Sequence, residues 1–124
     1  MAASLTDTMG VTLDSKLPVK TGKVEITVHV SADMNISAFA ARQKVSGFVC
    51  DRVSYLMGGG EPSLFVSDKV FWRVPVIFTL PGYGALGEVG YVDVDVENGQ
   101  LMVTDTLIEA IQHRAEALAL RTTS

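Results

Sequence analysis

The segment VDVDVENGQ places three acidic residues, Asp93, Asp95 and Glu97, at alternate positions. Alternating carboxylates suit either a calcium-binding loop or the solvent face of a β-hairpin. A helix–loop–helix calcium site needs a glycine at its sixth position and a glutamate at its twelfth. Counted from Asp93, those positions hold Asn98 and Thr104, so this segment is not expected to bind calcium.

A hairpin accounts for every residue of this segment. The valines between the acids point to the core, and Asn98-Gly99 supplies the two positive-φ positions of a type I′ turn. If the apolar faces of the two preceding strands coincide, Arg73 lies opposite Asp95 as a cross-strand ion pair. The acids are therefore predicted to form a charge ladder on a solvent face.

Two further motifs resemble chemical sites. GYGALG has the G-x-G-x-x-G spacing of dinucleotide-binding loops, but a strand pattern follows it where that motif needs a helix. Cys50, His29 and His113 have no spacing that would bring a thiol and an imidazole together. We therefore predict no catalytic residues, no metal site and no cofactor.

Composition predicts a soluble globular domain. The chain has 124 residues, of which 48% are hydrophobic and 19% are charged. Its single cysteine, Cys50, excludes an internal disulfide and suits a reducing compartment. No signal-peptide pattern and no apolar run of membrane-spanning length are present, so we expect a cytoplasmic protein without membrane association.

The charge is unevenly distributed along the chain. Residues 1–60 carry six Lys/Arg and five Asp/Glu, whereas residues 61–124 carry four and nine. Binding to a phosphate backbone needs several cations on one face, and no such cluster is present. Nucleic acid is therefore not an expected partner, while the acidic half suits a basic one.

Apolar periodicity divides the chain into an arm and one domain. Residues 1–22 have no sustained period and are predicted to form a flexible N-terminal arm, with a short extended piece around 11–19. Residues 23–121 are predicted to form a single α+β domain. KVEITVHVS, from Lys23 to Ser31, alternates as a half-buried strand does.

Two helices are predicted from three- and four-residue spacings. The first can be capped by Asn35 or Ser37 and can end at Gly58 in the left-handed conformation. The second begins at Thr106, which forms a capping box with Glu109. PSLFVSD, KVFWRVPVIFTL, EVGYVDVDVE and QLMV read as four strands between the helices.

The predicted order is thus β-α-β-β-β-β-α. Consecutive hairpins imply an antiparallel sheet of about five strands, with the two helices packed on one face. The opposite face of the long hairpin is then only partly polar, since Pro75 lies on it among other apolar residues and acids that include Glu97. The predicted interaction surface consists of Phe71, Arg73, Ile77, Val89, Tyr91, Asp93 and Asp95.

Arg52 falls inside the apolar stripe of the first helix. It is either a rim residue with a packed stem or a partly buried cation that fixes a carboxylate. The second alternative implies a pocket for a small ligand or substrate near Arg52, Cys50 and Trp72.

Residues 71–103 resemble the ending of PepSY-type domains, in which a W-x-V strand leads to a V-x-V-D-x-x-x-G hairpin. The chain is also similar to small uncharacterised bacterial α+β proteins. The resemblance implies a binding or inhibitory module without catalytic residues of its own. The matching positions are Trp72, Val74, Val92, Val94, Asp95 and Gly99.

Three functions follow from these patterns. The first is a non-enzymatic protein–protein interaction module that forms a homodimer through the uncovered sheet face. The second is an antitoxin-like regulatory partner of another protein in a bacterial two-gene pair, which binds through the arm. The third is a small-ligand binder or enzyme that uses the pocket near Arg52.

Overall fold

The computed structural model describes the backbone of residues 11–13, Gly22, and residues 29–123. This part of the chain contains two helices and six strands, which confirms the α+β class. The elements are β1 Val11–Leu13, α1 Ala38–Arg52, β2 Met57–Gly59, β3 Ser63–Val66, β4 Val70–Leu80, β5 Gly84–Asp95, β6 Leu101–Met102 and α2 Asp105–Thr123.

The sheet is built around β4. Its strand order is β1-β3-β4-β5-β6, and β2 pairs with the far part of β4 on the same side as β3. Strands β2 to β6 pair antiparallel, as predicted, whereas the short β1 pairs parallel with β3.

Residues 23–28 of the strand predicted at 23–31 lie outside the described residues, and residues 29–31 have no regular secondary structure. Strand β1 lies at 11–13, where the sequence predicts a short extended piece within the arm. The other residues of that arm, apart from Gly22, lie outside the described part of the chain.

Helix α1 begins where the sequence predicts and ends earlier. The Ser37 hydroxyl accepts the Ala40 N–H at 3.1 Å, so Ser37 is the N-cap. The helix closes at Arg52, and the predicted Gly58 terminus is wrong. Gly58 instead belongs to β2, where it pairs with Ile77 of β4.

Helix α2 begins about one residue before the predicted start. Thr104 is its cap, since its hydroxyl accepts the Leu107 N–H at 3.1 Å and its carbonyl accepts the Ile108 N–H at 3.1 Å. The predicted capping box at Thr106 is therefore wrong. A hydroxyl two residues earlier takes the same role, and Thr106 lies inside the helix.

Both helices pack on one face of the sheet, as predicted. The β4 side chains alternate from Val70 to Phe78, and the even-numbered ones in this range are buried. Helix α1 covers β2 and β4, while α2 covers β5. Their buried residues are Ala41, Val45 and Val49 on α1 and Ile111 and Ala115 on α2.

Strand β5 contains two bulges that the sequence pattern does not reveal. Gly90 pairs with Val76 but Glu88 pairs with Ile77, so Val89 is an extra residue opposite no partner. Val89 is fully buried in the core, and its predicted place on the uncovered face is wrong. The alternation of inward and outward side chains fails here, because one inserted residue moves the side chains beyond it to the opposite face of the sheet.

Asp95 and Gln100 lie opposite each other next to the last β5–β6 pair, so the turn between them has four residues, 96–99, and not the predicted two. The Asp95 N–H donates to the Gln100 carbonyl at 2.9 Å, and the Gly99 N–H donates to the Asp95 carbonyl at 2.8 Å. Gly99 has a φ of 75°, and among the described residues positive φ is confined to glycines. Asn98 therefore does not form a type I′ turn with it.

Candidate protein-interaction surface

The sheet surface opposite the helices carries the odd-numbered side chains of β4 and those of their pairing partners. We call this surface the open sheet face. The predicted interaction residues lie on it in accessible positions, apart from Val89, in the core, and Asp95, which is buried. The accessible residues of the open sheet face are Ser63, Phe65, Phe71, Arg73, Pro75, Ile77, Thr79, Ala85, Glu88, Tyr91, Asp93 and Met102.

Arg73 and Asp93 form an ion pair at the centre of this face. Their backbones are paired across β4 and β5, and Nε–Oδ1 and Nη2–Oδ2 are both 2.9 Å. The Arg73 side chain is 24% exposed and that of Asp93 is 15% exposed. This bidentate, half-buried geometry is stronger than a typical surface ion pair.

The predicted pairing of Arg73 with Asp95 is wrong by two residues. The register follows from the tight turn that pairs Leu80 with Gly84, together with the two extra residues of β5. A shift of two keeps every side chain on its predicted face but changes its partner. Apolar alternation therefore cannot distinguish the two registers.

Aromatic rings hold the Arg73 guanidinium from both neighbouring strands. Its Cζ lies 3.7 Å from the ring centroid of Phe65 on β3 and 3.9 Å from that of Tyr91 on β5. Phe65 also contacts Phe71, with centroids 6.5 Å apart. Stacking of this kind adds cation–π attraction and restricts the guanidinium, so Arg73 is preorganised.

We expect a double-mutant cycle to measure a coupling of about 1–2 kcal/mol between Arg73 and Asp93, between the values for exposed and buried pairs. The variants are Arg73→Met, Asp93→Asn and their combination, compared by urea unfolding. Arg42 and Glu61 serve as a control pair. They are 3.3 Å apart and 47% and 88% exposed, so their coupling should stay below about 0.5 kcal/mol. Equal coupling in the two pairs would contradict the argument.

Asp95 stabilises the β5–β6 loop and is not part of an accessible surface. It is 6% exposed, and its Oδ1 accepts the N–H groups of Glu97 at 2.8 Å and Asn98 at 3.4 Å. Its Oδ2 lies 3.8 Å from Lys69 Nζ. The loop and Lys69 engage both of its oxygens, so Asp95 does not belong to the accessible part of the open sheet face.

A polar cleft of about 180 Å³ opens beside this loop. Its carboxylates are those of Asp68, Asp95 and Glu97, and Lys69 lies among them. Among the residues that the structure describes, no group of three metal-ligating side chains has a geometry that could hold a metal ion. The cleft is lined by Ser31, Ala32, Asp68, Lys69, Val70, Asp95, Glu97 and Asn98.

The structure does not bring Arg52, Cys50 and Trp72 together. Trp72 is buried, and its Nε1 donates to the Ile36 carbonyl at 2.6 Å, just before α1 begins. Arg52 is the last residue of the 15-residue helix α1, which spans about 22 Å. Cys50 and Arg52 are exposed, and the Arg52 guanidinium lies 5.7 Å from the Phe48 ring. The predicted pocket is therefore not formed by these residues.

The predicted interaction surface omits two large apolar residues of the open sheet face. Phe65 belongs to the short strand β3, and its face depends on pairing with Phe71. Met102 is 47% exposed and shares the face because it pairs with Asp93. The predicted two-residue turn pairs Met102 with Asp95, which gives the correct face but a register that is wrong by two residues.

Neither described helix is long and apolar enough to cross a membrane. No protein-family model, no curated protein and no solved structure matches the chain significantly. The resemblance to PepSY-type domains therefore stays a prediction, and the function of the open sheet face has to follow from its own geometry.

Proposed function

We propose that this protein is a non-enzymatic interaction module that binds another protein surface through the open sheet face. The observation that carries the proposal is the Arg73 guanidinium, paired with Asp93 and stacked on Phe65 and Tyr91 in an accessible apolar surrounding. Arg and aromatic residues dominate the energetics of protein–protein interfaces.

Exposed apolar area on this face supports the same proposal. Tyr91 precedes Asp93 by two residues on β5 and is 41% exposed. Met102 lies opposite Asp93 on β6 and is 47% exposed. Phe71 and Ile77 are half-buried beside them. A contiguous apolar patch rimmed by polar groups is typical of an association surface.

The non-enzymatic character is part of the proposal. Its support is that Cys50 and His113 are both exposed on helices, away from Arg73 and Asp93 on the sheet. The acids with the most hydrogen bonds, Asp93 and Asp95, hold a guanidinium and a loop. This arrangement offers no convergent acid, base and nucleophile around a reacting group.

A cytoplasmic location also belongs to the proposal. Cys50 is a free and exposed thiol, which suits a reducing compartment. The alternative function, a regulatory partner in a bacterial two-gene pair, would bind a foreign protein through the arm of residues 1–22. The acidic excess of residues 61–124 favours a basic protein in that case.

We expect Tyr91→Asp and Ile77→Asp to weaken association at least tenfold, because each places a charge in the centre of the contact (about 1.4 kcal/mol or more). The measurements are the mass in solution by light scattering and the retention of proteins captured from host lysate. Tyr55→Asp is the matched control, since Tyr55 is 80% exposed in the connection between α1 and β2, outside the open sheet face. The proposal fails if the three variants behave alike, or if the wild type neither self-associates nor captures a protein.

A further inference from the structure

We infer that the open sheet face is covered by a second copy of this chain, packed sheet against sheet about a two-fold axis between β4 and β5. The inference rests on the proposed function and names the partner for the same surface. It follows from the arrangement of charges and apolar residues on the face.

A cation and an anion placed side by side form a surface that is complementary to itself. Arg73 and Asp93 lie directly opposite each other on adjacent strands. The two-fold axis lies in the interface, parallel to the strands and midway between β4 and β5. Rotation about it brings Arg73 over the Asp93 of the partner subunit, and Asp93 over the partner's Arg73. The four charges then alternate in a ring, and each has an opposite charge beside it and above it.

The same axis also brings apolar residues of the two copies into contact. Tyr91 pairs with Pro75 across β4 and β5, so each ring would pack on the proline of the opposite copy. Ser63 and Met102, which flank Arg73 and Asp93 in the same row of the sheet, would face each other between copies. Side chains that interdigitate in this way are typical of face-to-face sheet packing.

The area of the face is that of a small interface. Strands β4 and β5 have 11 and 12 residues, and β2, β3 and β6 have three, four and two. At about 3.3 Å along a strand and about 4.8 Å between strands, these residues cover on the order of 500 Å². This is below the roughly 800 Å² that each partner buries in a standard interface, so the dimer is expected to be weak and to depend on concentration.

The test is an exchange of the two charges. The double variant Arg73→Asp, Asp93→Arg keeps a cation beside an anion, so it is expected to dimerise with itself as the wild type does. Against a wild-type chain it places like charges over each other. Mixed dimers are therefore expected at a level at least roughly tenfold below the statistical proportion, because like charges at an interface are costly.

Differently tagged wild-type and exchanged chains are mixed, and the species are counted by native mass spectrometry. Mixed dimers at the statistical proportion would overturn the inference, and so would a wild type that keeps the 13.3 kDa mass of one chain at high concentration. A monomer that still binds a foreign protein, with binding lost in Tyr91→Asp, would leave the proposed function standing without this partner.

A second measurement covers the case in which the exchanged variant does not fold. In a Cys50→Ser background, one chain carries Ser63→Cys and a tagged chain carries Met102→Cys. A short bismaleimide should link the two chains to each other and should not link either variant to its own copy. Equal linking within each single variant would overturn the position of the axis.

Discussion

Replacing Trp72 with alanine is expected to lower the free energy of unfolding by about 3–5 kcal/mol. The indole is 2% exposed and is the largest fully buried side chain of the core. Its Nε1 donates to the Ile36 carbonyl at 2.6 Å, which ties the entry of α1 to the centre of the sheet. The alanine variant loses both the packing and the hydrogen bond and leaves a cavity.

Trp72→Phe separates these two contributions. Phenylalanine retains much of the apolar volume but leaves the Ile36 carbonyl without its donor, so a cost of about 1–3 kcal/mol is expected. Unfolding in urea is followed by circular dichroism at two protein concentrations, because association would add to the apparent stability. A cost below about 1 kcal/mol for Trp72→Ala would show that this contact does not organise the core.

Gly90→Ala is expected to destabilise the fold by about 1–3 kcal/mol, because the added methyl group overpacks the contact between α2 and β5 and because Gly90 has a φ of 156°, which other residues rarely adopt. A Cβ at this position would lie 2.7 Å from Cγ1 of Ile111, which is itself 1% exposed and has little space to move. The measurement is again unfolding in urea. The substitution should cost less in an Ile111→Ala background, where only the backbone cost remains.

Gly47→Ala provides the matched control for this prediction. Gly47 is an exposed residue in the middle of α1, and a Cβ added to it would have no neighbouring atom within 4 Å. The same substitution should therefore stabilise the protein by about 0.5–1 kcal/mol through helix propensity. Equal effects at both positions would contradict the steric argument.

The α+β class follows from the sequence because its periodicities are long and regular. The valines around Asp93 alternate over a whole strand, and Ala41, Val45 and Val49 recur at helical spacing and form the buried stripe of α1. Hydroxyl caps are also visible in the sequence, although Thr104 and Thr106 compete for the start of α2. Such local signals fix the type of an element better than its ends.

Which residues lie on the open sheet face depends on pairing between strands that are distant in sequence. A single sequence indicates that pairing only weakly. Alternation assigns Phe71, Arg73 and Tyr91 to the correct face because a shift of two residues preserves parity. It misplaces Val89 because a bulge changes parity. It also predicts Asp95 to be accessible, whereas this carboxylate accepts backbone N–H groups of the β5–β6 loop.

The parallel pairing of β1 with β3 has a consequence for the order of folding. Val11 pairs with Leu64, 53 positions further along the chain, whereas Leu80 pairs with Gly84 only four positions away. Contacts between near neighbours form at a lower loop-closure cost than contacts between distant ones. We therefore expect the β4–β5 hairpin to form early and β1 to join the sheet after it.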